Sequence, residues 1–130
     1  ALPIWTEQPL RRDEFYIPGS LLKINVDTTH PLAHGMPKEA IVFFDNSPVF
    51  RVGNGTTHVV ALYGPNSLAS GWAWQPEKLA GGAAVAEASI GEGEVIMYGP
   101  EVAFRAQPHG TFRLLFNGIF FGASKATVIP

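Results

Sequence analysis

In LLKINVD (21–27), Leu22, Ile24 and Val26 fall on one side of an extended chain and Lys23 and Asn25 on the other. That period-two pattern predicts a strand with one buried face. AIVFFD (40–45) and PVFRV (48–52) are short apolar runs around NSP, and predict two strands or one bent pair. GNGTT supplies a turn, since its glycines and asparagine accept positive φ, and HVVALYG (58–64) predicts the next strand. AAVAEASI and EVIMYG flank GEG, the clearest hairpin signal in the chain. Between these strands, PNSLASGWAWQPEKLAGG (65–82) predicts a long connection rich in Ser, Gly and Pro. It carries Trp72 and Trp74, and tryptophans are seldom left wholly in water, so it is expected to fold back onto the domain.

The period changes near the C-terminus. Phe112, Leu115, Phe116, Ile119 and Phe120 recur at helical spacing and predict one apolar side, with Arg113 and Asn117 one turn apart on another. Leu114 and Phe121 widen the apolar surface, and Gly122 is placed to end the helix. Prolines at 3, 9 and 18 make residues 1–17 an irregular lead-in, and Pro31 and Gly35 break TTHPLAHGMP. The expected architecture is a strand-rich α+β domain over residues 18–123, closed by one apolar helix and followed by a tail at 124–130. An opening of ALPIW, without methionine or a signal-peptide pattern, suggests a processed or excised piece.

Composition narrows the chemistry. With 130 residues, 46% hydrophobic and 15% charged, the chain has material for a core that needs neither disulfides nor metals. A formal charge of −2 with scattered basic residues argues against a nucleic-acid partner. No apolar run reaches the roughly 20 residues of a spanning helix, so no membrane partner is expected. The absence of cysteine removes disulfides, thiolate zinc sites and a cysteine nucleophile.

Three sets of residues then compete for a role. Arg105, Gln107 and His109 lie in GPEVAFRAQPHGTF, just before the helix, where a helix N-terminus could attract an anion. The structural alternative has Thr111 or a neighbour capping the helix and Arg105 pairing with Glu101 or backbone carbonyls. His30 and His34, with Asp27 near and His58 and His109 further on, raise a metal site, but Pro31 and Gly35 deny the histidines a shared helical face. No His-x-x-Glu pair occurs anywhere, and no metal is expected in this chain. Ser67 and Ser70 do not sit in a Gly-x-Ser-x-Gly elbow, and Glu92 and Glu94 would repel a phosphate from the GEGE turn.

LASGW, LAGGAAVAEASIGEGEVIMYG and FRAQPHGTFRLLFNGIF, in that order and with LLKINVDTTHPLAHGMP before them, resemble the C-terminal region of bacterial zinc carboxypeptidase (carboxypeptidase A-like) family proteins. There a metallopeptidase domain is followed by a domain related to class I glutamine amidotransferases. The resemblance spans residues 18–123. It implies the later part of an amidotransferase-like α/β fold, a secreted or periplasmic parent, and an upstream peptidase domain of the same polypeptide as partner. The peptidase's zinc ligands have no counterpart here, so the zinc it implies belongs upstream. The Cys-His-Glu triad of amidotransferases is excluded without cysteine.

The expectation is therefore a non-catalytic accessory domain whose contact surfaces are the loop with Arg105, Gln107 and His109 and the loop with Trp72 and Trp74. The alternatives are a free-standing ligand- or glycan-binding module that stacks on the two tryptophans, and a hydrolase in its own right. A missing N-terminal half would leave strand edges open to self-association.

Overall fold

The structure, a computed structural model, describes residues 11–53, 55–122, 124 and 127, together with the backbone of residues 4 and 5. Most of the expected tail and Asn54 of the GNGTT turn lie outside the described residues.

The strands are β1 (Ile4–Trp5), β2 (Ser20–Val26), β3 (Glu39–Phe44), β4 (Arg51–Val52), β5 (Thr57–Ser70), β6 (Ala83–Ile90) and β7 (Gly93–Tyr98), followed by helix α1 (Phe112–Phe121). Five of them form one antiparallel sheet in the order β3-β2-β5-β6-β7, and β1 pairs with β4 separately. The first strand thus falls inside the stretch expected to be irregular. The hairpin is as the glycine turn predicts: Ile90 faces Gly93, and Gly91 turns at a φ of 62°.

The long connection is shorter than its composition suggests, because β5 runs on through Ser70. Pro65 would deny a central strand one donor. The ladder absorbs it where the register jumps from Leu22↔Leu68 to Ile24↔Tyr63, so residues 64–67 bulge out.

The alternating face of β2 is the core face. Leu22, Ile24 and Val26 are buried with Val42, Phe44, Val60, Tyr63 and Val85. Ile17, from the end of the lead-in, is fully buried in the same cluster. A smaller cluster of Phe50, Ala83 and Ala86 gathers Val52, Val59 and Met97. The sheet curls into a half-barrel. Beyond β7 the Gly99 N–H donates to the Ala84 carbonyl, and Glu101 then reaches the free edge of β3, its N–H donating to the Phe43 carbonyl at 2.9 Å.

α1 closes the open side, but turned from the expected orientation. Leu114 is fully buried and Leu115 partly so, whereas Phe116, Ile119 and Phe120 are exposed. Asn117 points inward, and its amide donates to the Leu32 and His34 carbonyls at 2.9 and 3.0 Å. Gly118 lies against Tyr98 and Ile96. Two backbone carbonyls that need a donor, and a strand that needs room, decide the rotation over apolar count. Gly122 does follow the last helical residue, but with a right-handed φ of −59°, without the left-handed turn for which glycine is usually chosen.

Candidate functional site

The loop before α1 is ordered by its apolar and buried residues. Phe104 stacks on Phe43 with centroids 4.4 Å apart, and the buried Thr111 hydroxyl donates to the Val102 carbonyl at 2.6 Å. Thr111 therefore does not cap α1 with its side chain. Arg105 adopts a left-handed φ of 46° and lays its guanidinium over the Phe104 ring at 5.1 Å. Among the described residues it forms no ion pair, with Glu101 or otherwise. Arg105, Gln107 and His109 are all exposed, and the His109 ring leans on Phe112 at 5.3 Å. The three expected contact residues share a loop, but Arg105 and His109 rest on separate rings, Phe104 and Phe112.

The tryptophan loop does fold back. Gly71, at a φ of 102°, turns the chain so tightly against Ser20 that a Cβ there would strike that side chain. The Ser20 hydroxyl accepts from the Trp72 N–H at 3.0 Å and donates to the Trp72 carbonyl at 2.6 Å. Trp74 pairs through its backbone with Tyr16, and its indole N–H donates to the Asp13 carbonyl at 3.1 Å. The Tyr16 and Trp72 rings meet edge to face at 6.1 Å, and the Arg12 guanidinium lies over Tyr16 at 5.2 Å. Despite these anchors Trp72 and Trp74 remain 55% and 47% exposed. This loop hangs from Ser20, while Phe104 rests on Phe43, the cross-strand partner of Leu21, so both loops rise from the same end of β2 and β3.

Of the histidines, two come together. His30 and His58 have ring centroids 6.1 Å apart, and Glu87, opposite His58 in the ladder, pairs with His30 Nε2 at 2.8 Å. His30 Nδ1 accepts the Leu32 N–H at 3.3 Å, which assigns its proton to Nε2 and makes it the donor to Glu87. The pair clips the 3-10 turn at Pro31–Ala33 to β6. His34 instead faces Phe121, and Asp27 holds the Thr29 hydroxyl and N–H. Among the described residues no group of three His, Asp or Glu side chains is disposed to hold a metal ion. Ser67 is buried with its hydroxyl unpartnered among the described residues, and Ser70 is exposed at the end of β5.

Reasoning from sequence missed Tyr16, Arg12, Glu87 and the outward face of α1. Tyr16 and Glu87 are joined to Trp74 and His30 only by tertiary pairing, and Arg12 enters through its local contact with Tyr16. The fourth had a signal in Asn117-Gly118, a polar residue and the smallest one set together in an apolar helix, where a backbone approaches closely.

No family model, curated protein or solved structure matches this chain.

Proposed function

We propose that this chain is a non-catalytic accessory domain of a larger zinc-carboxypeptidase-like polypeptide and packs on its peptidase domain through α1. In this reading the half-barrel is the later part of an amidotransferase-like fold, and the zinc and its ligands belong to the upstream domain. The observation that carries the proposal is the outward face of α1, where Phe116, Ile119 and Phe120 are 52%, 65% and 75% exposed. Clustered large apolar side chains left in water favour burial against another protein surface. The resemblance supplies the identity of that surface.

The test compares the chain alone with the longer polypeptide that includes its upstream residues. Release of C-terminal amino acids from peptides is expected only from the longer form. The amides of α1 should exchange more slowly there, and a dye that reports exposed apolar surface should bind the chain alone. Peptide turnover by the chain itself, abolished by changing one of its own side chains, would overturn the reading. So would an upstream sequence without zinc ligands.

A further inference from the structure

We propose that Trp72 and Trp74, braced by Tyr16, form a stacking site for the pyranose rings of a carbohydrate chain, with Arg12 placed to meet an acidic substituent. Tyr16 and Trp74 exchange both backbone hydrogen bonds, at 3.3 and 2.9 Å, so they stand directly opposite each other. Directly opposed residues send their side chains to the same face of a ribbon. Trp72 is brought to that face by its ring contact with Tyr16.

The loop that carries the rings is held in place before any ligand arrives. Ser20 fixes the Trp72 backbone from both sides, and Asp13 fixes the Trp74 indole. A ligand would therefore bear little of the ordering entropy that usually weakens binding to loops. Two half-exposed tryptophans held this firmly are not explained by the packing of the domain.

The chemistry selects the ligand. The C–H face of a pyranose is apolar and flat, and matches an indole face, while its rim of hydroxyls stays in water. A proline-rich peptide is the competing ligand for an aromatic surface, and of the two indole N–H groups that could serve its carbonyls, that of Trp74 is already engaged by Asp13. Arg11 is tied to Asp13 at 2.6 Å, whereas Arg12 has no ion pair among the described residues. Lying over Tyr16, its guanidinium keeps donors at the rim, where a carboxylate can take two of them.

Calorimetry and tryptophan fluorescence on the folded chain provide the test, with chitohexaose as the neutral probe and an oligogalacturonate of similar length as the acidic one. Both should bind and quench. The acidic probe should bind roughly three- to tenfold tighter at low salt, and lose that margin at about 0.5 M salt. Trp72→Ala or Trp74→Ala should weaken both by about tenfold or more, with Trp72→Tyr retaining most of the affinity. Arg12→Gln should remove only the acidic preference. Circular dichroism of each variant separates loss of the site from loss of the fold. The proposal fails if neither saccharide binds up to roughly 10 mM, if binding survives Trp72→Ala in a folded variant, or if a polyproline peptide binds more tightly than both. Because α1 takes no part in this site, the result is independent of the docking of α1.

Discussion

Tyr63 shows how one atom can act against the fold that buries it. Its ring belongs to the core, edge to face with Phe44 at 5.9 Å, but its hydroxyl has no hydrogen-bond partner among the described residues. A buried, unpaired hydroxyl costs about 1–3 kcal/mol. Tyr63→Phe keeps the ring and should leave the melting temperature unchanged or raise it. The same burial pushes the Tyr63 pKa above its ordinary 10.0. Above pH 10 the unfolded chain ionises this tyrosine while the folded chain does not, so stability should fall as pH rises past 10. Tyr98 adds to this in the same direction, through burial and then the Glu87 charge. Melting curves at pH 9 to 11 should show less alkaline loss in Tyr63→Phe than in the parent, and equal losses would contradict the assignment. Asn117 is the converse case. Asn117→Leu would make α1 more apolar, yet it takes the donor from the part-buried Leu32 carbonyl and leaves the His34 carbonyl to water. A loss of about 1–3 kcal/mol in denaturant unfolding is expected, against the trend of hydrophobicity.

At the scale of elements, α1 illustrates what a hydrophobic pattern can and cannot fix. Its existence and both ends were legible, since long apolar periodicity admits little else. Its rotation was not, because apolar residues surround most of the helix and their count favours the wrong side. The inward side was marked by Asn117 and Gly118, whose reasons are a neighbouring turn and a neighbouring strand. Gly118→Ala tests this. Alanine gains up to about 1 kcal/mol in helix propensity, but its Cβ would press on the Tyr98 hydroxyl, which donates to the Leu114 carbonyl at 2.8 Å. Overpacking and a weakened bond together cost about 1–3 kcal/mol, so the melting temperature should fall. Strands were easier to read. β2 alternates because one side alone meets the core, whereas the first part of the 65–82 segment looked like loop because its bulge carries the turn residues. The site was half legible. Trp72 and Trp74 drew notice by their type, but Tyr16, and Arg12 with it, were brought to them only through a backbone pairing that no local pattern encodes.

For the whole molecule, stability and association are carried by different surfaces. The core face of the sheet binds Leu114, and the His30–Glu87 pair and Asn117 clip the turn at 31–33 to β6 and to α1. The outward phenylalanines take no part in this. Phe120→Ser should therefore change the stability of the isolated chain by no more than about 0.5 kcal/mol, while reducing dye binding and self-association at high concentration. A large loss of stability would mean that the face already has a structural partner within the chain. The bridge between Glu101 and Phe43 has a different consequence. Among the described residues it alone extends the β3 edge toward the strand on the far side, like the last stitch of a hem, and no regular ladder continues beyond it there. A curled sheet sewn at one point parts there first. In slow deuterium uptake the Glu101 amide should be among the earliest to label, and that of Val85, deep in the middle of the fabric, among the last.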